Sequence, residues 1–512
     1  MTRDRLAVTA GVVAAGVGIG LAELAAGLLV VVPSPLDALG QQLVARLPGV
    51  VLTGSIDLLG GANRAVLLGA SLAVAATLGA LLGRLAVMRF GVAVVLVAGV
   101  AGLGGAAAMT SPDAALPGVA LTLAAAAALT LAVLRGLLAR LGITPPSQGR
   151  PRQQLPEDEV DRRAFLRFSA GAALAGVAAL ALGRGGLTGG TSVAPGRVDL
   201  PRPDAALPPV GGDLAERVSG VSELLTPTDD FFRIDTAVVL PRVDPGSWRL
   251  RIHGLVEREL ELTFDQLLDR ELVEVDATIA CVSNEVGGEL IGTARWLGVR
   301  LDELLAEVGP TRAAEQVVGR SVDGWTGGFP LAVARDGRDA LLAVAMNGEP
   351  LPVRHGFPVR LVVPGLFGYV SATKWLEEIE LTTWDGFDGY WVPRGWAKRA
   401  PIKTGSRIDT PGDGGTVAAG AVVVAGVAWA PVRGVDRVEM RLDGGDWAAT
   451  QLAPALSDAT WVQWHARVEL APGPHELTVR AVDGEGRLQP EGPAPPAPDG
   501  AEGWHTVTVE VA

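Results

Sequence analysis

Ala280-Cys281-Val282-Ser283-Asn284 decides how this chain is read, because Cys281 is the single cysteine among 512 residues. It follows a strand-like run from Leu272 to Ile279. A lone cysteine cannot close an intramolecular disulfide, and by itself it is a small apolar side chain suited to burial. The surrounding sequence supplies the chemistry. Downstream come Ala294-Arg295-Trp296, Asp323, the run His355-Gly356-Phe357-Pro358-Val359-Arg360, and Lys374-Trp375. Each is expected in a turn-rich stretch between apolar runs, where binding residues concentrate. A thiolate among His, Arg and Lys suits a soft metal that carries an anionic cofactor.

Working outward, the length implies about two to four domains, and a net charge of −13 argues against nucleic-acid binding. The chain divides in composition. Its first ~185 residues are runs of Ala, Val, Leu and Gly long enough to cross a bilayer, and the rest has an ordinary soluble composition rich in Trp and Pro. Four helices are expected, at Leu6–Val32, Ala65–Leu82, Gly91–Met109 and Leu116–Leu138. Glu23 is the one acid inside the first, and is expected to face a partner helix or lie near a helix end. Arg3 and Arg5 precede helix one, Arg84 and Arg89 are read as a connection, and Arg135, Arg140, Arg150 and Arg152 follow helix four. Basic residues stay in the cytoplasm, so the N-terminus and the loop after helix four are expected there.

That loop ends in Arg162-Arg163-Ala164-Phe165-Leu166-Arg167, followed by the apolar stretch Ala170–Leu182. The basic cluster anchors a fifth helix on the plainer reading. The sharper reading is a twin-arginine export signal, placed where four helices return the chain to the cytoplasm. No A-x-A cleavage pattern stands out, so the fifth helix is expected to remain as an anchor. The five histidines, His253, His355, His465, His475 and His505, all lie downstream, so no haem is expected between the helices.

The cysteine segment through TARWLGVRLDELL (Thr293–Leu305), with MNGEPLPVRHGFPVRLVVPG (Met346–Gly365), resembles the sulfite oxidase family of molybdenum-cofactor enzymes. The resemblance runs from about Phe231 to the C-terminus. It implies that Cys281 ligates molybdenum, which also holds a pterin dithiolene; thiolate is the ligating form. It implies that a loop containing Phe232 and Arg233 wraps the pterin, with Asp235 beside it. Asp323, His355, Arg360, Thr373 and Lys374 are the further cofactor contacts it implies. The pterin phosphate needs donors, and arginine and lysine are suited to supply them. The plainer roles are a surface salt bridge for Arg233, a structural histidine for His355 and a solvated lysine packed on Trp375 for Lys374.

The expected fold class is multidomain: an α-helical membrane region, an α+β sulfite-oxidase-like molybdopterin domain and an immunoglobulin-like β-sandwich. The expected boundaries are 1–140 for four helices, 141–185 for the loop and fifth helix, and 186–220 for a flexible Gly/Pro-rich linker. The catalytic domain is expected over 221–410 and a dimerisation-type sandwich over 411–512. Within the catalytic domain, Thr263–Leu268 is read as a short helix capped by Thr263, and Gly298–Val308 as a second helix. In the sandwich, strands are expected at Ala421–Ala428, Val435–Leu442, Trp461–Leu470, His475–Val482 and Trp504–Val511.

The pattern departs from sulfite oxidases in two places. Basic residues are expected after the cysteine-x-x-asparagine segment, yet Asn284 is followed by Glu285 and Val286. A carboxylate near a dianion costs ~1 kcal/mol even at water-like screening. The tyrosine expected near the metal is replaced by Trp325 or Thr326. Arg394 and Trp396 line the mouth on this reading. The expected function is two-electron oxygen-atom transfer on a small neutral substrate, a sulfoxide or N-oxide, with an external redox partner, membrane-bound or soluble. The alternatives are sulfite oxidation proper, a non-catalytic scaffold on the same fold, and a thiol hydrolase, which would need a histidine base. Localisation is expected at the cell membrane, with the catalytic and C-terminal domains outside the cytoplasm. The sandwich resembles the dimerisation domain of the same family, which implies a homodimer, and isologous dimers are the commonest oligomer.

Overall fold

The computed structural model describes residues 3–29, 32–36, 38, 63–109, 116–143, 162–184, 198–237 and 240–512. They fall into two compact units, Met1–Ser192 with Ala237–Val239, and Val193–Thr236 with Leu240–Ala512.

Among the described residues, the first unit has five long helices: α1 (Arg3–Leu28), α2 (Asn63–Met88), α3 (Phe90–Ala108), α4 (Leu116–Arg140) and α5 (Arg162–Arg184). All five are long and apolar enough to cross a membrane. α1 is central, with 56% of its apolar window buried against 17–22% for the other four. Glycine lets the helices close on it: a Cβ at Gly11 would lie 2.1 Å from Gly79 O of α2. Glu23 is buried and near the helix end, where its carboxylate accepts from Ser34 Oγ at 2.8 Å and Leu36 N at 3.2 Å.

The boundaries correct the expected ones. α1 stops at Leu28, and α2 runs on to Met88, so Arg84 sits inside a helix and only Arg89 separates α2 from α3. A long arginine stem can lie along an apolar helix and keep its head at the surface, so helix propensity overrides the charge. The arginine motif is helical from Arg162, and its Phe165 is fully buried with Leu6, Leu134, Leu137 and Leu138. The residues after Arg140 carrying Arg150 and Arg152, and the tether residues 185–197, lie outside the described residues.

The second unit is β-rich. One sheet has the order β2 (Leu260–Thr263), β1 (Arg249–Gly254), β10 (Leu376–Thr382), β5 (Gln316–Ser321), β6 (Thr326–Pro330), with β1 and β10 parallel. A second runs β3 (Val273–Ala280), β4 (Ile291–Arg300), β7 (Leu341–Met346), β8 (Glu349–Pro350), with β9 (Arg360–Val362) also on β7. Both faces of this sheet are covered: Trp296, Ala343 and Val362 enter one core, and Leu297, Val299 and Leu342 the other. Hence β3 and β4 are buried along nearly their whole length, although Glu274, Asp276 and Thr278 alternate with apolar residues in β3. Thr263 caps α6 (Phe264–Leu268) through a capping box with Gln266.

α7 spans Leu301–Val308, three residues shorter than the reading from Gly298. Gly298 stays in β4 because a Cβ there would strike Leu342 O at 2.2 Å; strand pairing wins over the leucine spacing. Ala294-Arg295-Trp296 likewise lies mid-strand, not in a turn. The linker expectation also changes. Residues 198–220 are docked, irregular up to a short helical turn at Leu214–Glu216: Asp204 N donates to Leu272 O at 2.8 Å, and Leu214 N to Gln463 Oε1 at 2.7 Å.

Two further sheets share one core from Ile408 to Val511. Their orders are β11 (Gly405–Thr410), β13 (Gly420–Trp429), β17 (Val462–Leu470), β16 (Gln451–Leu452), and β12 (Thr416–Val417), β19 (His505–Val511), β18 (Gly473–Asp483), β14 (Val435–Leu442), β15 (Ala448–Ala449). β11 precedes the first strand read from sequence, because Arg407 and Asp409 interrupt its apolar pattern.

Candidate molybdopterin site

β3 delivers Cys281 to the end of its sheet, and the loop that follows closes on itself. Cys281 N donates to Leu290 O at 2.8 Å, Asn284 N to Cys281 O at 3.1 Å, and Leu290 N to Asn284 Oδ1 at 2.7 Å. Asn284 is therefore the internal brace of this loop. Cys281 is 9% exposed. Burial pushes its thiol above the ordinary range, while the Ser283 hydrogen bonds and the Lys374 charge pull it back.

Lys374 is the electrostatic centre of the cluster. Burial lowers its ammonium to about 8, and the Arg360 charge adds to that, against the attraction of Asp235. Its Nζ donates to Asp235 Oδ2 at 2.9 Å and to Arg354 O at 3.4 Å, and lies 5.1 Å from the Trp375 ring centroid. Asp235 also accepts from Arg233 Nε at 2.7 Å. Burial opposes its charge, but Lys374 and Arg233 together hold its carboxyl below the usual range.

Arg360 and His355 come from the ends of one short run. Arg360 is 5% exposed; its Nη1 donates to His355 O at 3.1 Å, and its guanidinium carbon lies 5.0 Å from the Trp296 ring. Burial lowers it to about 10. Among the described residues no carboxylate lies within ion-pair distance of it. His355 is fully buried, edge-on to Phe231 at 5.7 Å, with Nε2 3.2 Å from Thr228 O. Burial, then the Arg360, Lys374 and Arg354 charges, lower it to about 3, so it is neutral at ordinary pH.

Asp323 sits on the turn between β5 and β6, where its Oδ1 accepts from Trp325 N at 3.1 Å. Burial raises its carboxyl, against the Ser321 hydroxyl and Trp325 N–H, and the Asp235 charge raises it further. Phe232 stacks on Phe231 at 5.2 Å. Thr373 is sealed, with its hydroxyl unpartnered and facing Gly319, where a Cβ would lie 2.4 Å away.

Cys281, Asp235, Asp323, His355 and Arg360 are thus all within the field of Lys374, and Arg233 and Phe232 flank them. Arg295 does not join. Its guanidinium is committed to Asp276 through two 2.8 Å bonds and to Pro208 O.

Two groups escaped the sequence reading. Arg354 bonds Thr228 O at 2.8 Å and Asp229 at 2.7 Å, which ties the Phe231–Arg233 segment to the His355 turn. Tyr390 comes to the same turn as Trp325 and Thr326, donating its N–H to Thr326 O at 3.0 Å, with Arg394 3.7 Å over its ring. The adjacency Arg354-His355 was visible; nothing in the spacing placed Tyr390 there. A cavity of about 350 Å³ elsewhere is lined by Pro330, Arg338, Gly365, Arg399 and Val432 among others, and none of the site residues borders it.

Among the described residues no group of three or more His, Cys, Asp and Glu is placed to hold a metal alone. A metal on Cys281 therefore needs further ligands from the molecule that carries it. Arg360, buried without a carboxylate, and Lys374 supply the charge that such an anionic carrier requires. The donor set fits a phosphorylated pterin with a thiolate-bound metal.

Fold and site define a molybdopterin-binding domain, and residues 237–391 match the oxidoreductase molybdopterin binding domain. The chain is 32% identical over 353 residues to sulfite oxidase of Gallus gallus, covering 58% of this chain and 74% of that one. It is 32% identical over 321 residues to mitochondrial sulfite oxidase of Homo sapiens, covering 53% of this chain and 58% of the human protein. Thus the chain spans little more than half the length of that relative. Among solved structures, it superposes on the sulfane dehydrogenase SoxCD of Paracoccus pantotrophus with a TM-score of 0.50 at 25% identity, covering 57% of this chain and 82% of that one. The chain belongs to the sulfite oxidase family.

Proposed function

We propose that this chain is a membrane-anchored molybdenum-cofactor oxidoreductase that transfers an oxygen atom, with two electrons, to or from a small neutral substrate such as a sulfoxide or N-oxide. One observation carries it: a buried guanidinium without a carboxylate, Arg360, shares the field of Lys374 with the only thiol in the chain.

On this reading Cys281 is the protein ligand, and its thiol gives up its proton when metal binds. Arg360 and Lys374 hold the phosphate, and neutral His355 spends its one N–H on Thr228 O, steadying the segment that covers the pterin without adding charge. Phe232 and Arg233 cover the pterin, with Asp235 fixing Arg233 and Lys374 relative to each other. Asp323 lines the site, while Thr373, facing Gly319, supports Lys374 from behind. The bound cofactor supplies the two-electron exchange and the oxygen-atom transfer; the protein supplies position and electrostatics. Glu285, exposed on the cysteine loop, disfavours a dianion. That favours a neutral substrate.

Sulfite oxidation is the second reading, favoured by the identity to the two sulfite oxidases. On either reading the helices anchor the chain, the arginine motif directs export of a folded domain, and the second unit lies outside the cytoplasm. Residues 221–404 act as the catalytic domain, and 405–512, which take in β11, as an immunoglobulin-like sandwich able to pair two copies. An external redox partner exchanges the electrons. The test is metal analysis of purified protein followed by a substrate screen with artificial electron donors and acceptors. About one molybdenum per chain, and turnover lost in Cys281→Ser, is the expected result; a metal-free chain, or full activity in that variant, rejects the proposal.

A further inference from the structure

The strand and loop that present Cys281 are gripped on both sides by the C-terminal sandwich. Before the cysteine, the free edge of β3 is covered by residues 457–461. Ser457 Oγ donates to Asp276 O at 3.2 Å, Thr278 N to Ala459 O at 3.0 Å, and Trp461 N to Thr278 Oγ1 at 2.7 Å. An uncovered edge would leave these main-chain groups without partners.

After the cysteine, Arg407 of β11 donates from Nη1 to Gly288 O at 2.6 Å. Its other two nitrogens also donate: Nε to Asp409 at 2.5 Å and Nη2 to Ser222 Oγ at 2.7 Å. The guanidinium is thus fixed in one orientation and is 9% exposed. His505 of β19 forms the other wall. Its Nδ1 accepts from Ile408 N at 3.0 Å, which leaves the proton on Nε2. That edge of the ring faces Gly287, whose φ is +79°, and a Cβ there would lie 2.3 Å from Nε2. Only glycine fits, by conformation and by space.

We propose that the C-terminal sandwich sets the position of the Cys281 sulfur, with Arg407 and His505 as positioning residues on either side of Gly287-Gly288. The inference rests on the molybdenum reading for its purpose, but the clamp itself is a property of the chain. Metal–thiolate geometry tolerates only a few tenths of an ångström, and the ligand is held by one loop. A loop braced only by Asn284 could hinge at its ends; one pinned at Gly288 O and walled at Gly287 cannot. The sandwich therefore does more than extend the molecule. It completes a site to which it contributes no ligand.

The experiment uses the full chain in detergent, freed of metal, with Arg407→Gln and Gly287→Ala compared with the unaltered chain. Two quantities are read: hydrogen exchange at the amides of Asn284, Gly288 and Leu290, and the rate of Cys281 alkylation by iodoacetamide. Exchange in β14 and β18 reports whether the sandwich itself stays folded. The expected result is at least a tenfold rise in both loop quantities in each variant, with β14 and β18 unchanged. Should Arg407→Gln loosen the sandwich as well, Gly287→Ala is compared with Gly287→Ala combined with His505→Ala: relief of the loop change in the double variant assigns it to the His505 wall, and no relief overturns that wall. Loop exchange and alkylation equal to those of the unaltered chain would overturn the clamp. Metal analysis of the unaltered chain is separate: its failure removes the molybdenum reading and leaves the loop result standing.

Discussion

Asp235 and Lys374 form a buried ion pair, 2.9 Å from Oδ2 to Nζ, with 5% and 11% of their side chains exposed. The two residues are 139 positions apart in the chain. The same carboxylate takes Arg233, so one anion balances two cations, and Arg360 nearby stays unbalanced. The site therefore carries a net positive charge that its own acids do not cancel.

Asp235→Asn is the direct probe of that pair. It leaves the Lys374 ammonium buried with a neutral partner, and breaking a buried pair from one side costs ~3–5 kcal/mol. Loss of stability of that order is expected in urea unfolding followed by tryptophan fluorescence. An unchanged midpoint would show that water reaches Lys374 and that the pair carries little.

Arg360→Met separates stability from binding. The guanidinium has main-chain acceptors but no carboxylate, so its removal relieves desolvation without stranding an anion. The metal-free variant is expected to be as stable as the unaltered chain or more so, while the molybdenum content of the purified protein falls to near zero. A variant that unfolds more readily would assign Arg360 a structural role.

The pH dependence follows from Lys374, which burial holds at about 8 against 10.5 in the unfolded chain. A folded pKa below the unfolded one means that the folded state binds fewer protons between these values. Its contribution to stability therefore rises as pH climbs from about 8 to 10.5. Anion binding runs the other way, since the charge that attracts phosphate is lost as pH passes about 8. Pyrophosphate affinity of metal-free protein, measured by calorimetry, is expected to fall between pH 7 and 9, and Lys374→Arg to flatten the fall. A flat profile in the unaltered chain would remove Lys374 from the anion site.

Much of this was legible because chemistry-bearing residues stand beside strong local signals. Gly356 follows His355 and adopts φ +108°, and Thr263 with Gln266 spells a capping box. What could not be read depends on tertiary contact. Gly298 stays in its strand because Leu342 O lies behind it, and Arg295 is drawn to Asp276 across the β3–β4 pair. Asp235, Asp323, Arg360 and Lys374 could be named through the family resemblance, yet the pairing of Asp235 with Lys374 joins residues 139 positions apart and has no local signal. Tyr390 and Arg407 reach the site from distant segments, and no local pattern announces such an approach.

Glu285 tests the substrate reading. It is exposed on the cysteine loop, next to the brace residue Asn284. A unit negative charge costs an approaching anion ~1 kcal/mol at water-like screening, which is about fivefold in KM. Glu285→Gln is therefore expected to lower KM for sulfite about fivefold at low salt, and less at high salt, where exposed charges are screened. KM for a neutral sulfoxide or N-oxide is expected to stay unchanged, because no charge meets the carboxylate. The measurement is steady-state turnover with artificial donors or acceptors at two ionic strengths. If both substrate classes respond equally, Glu285 acts on the loop and not on the substrate's charge, and the case for a neutral substrate loses its electrostatic support.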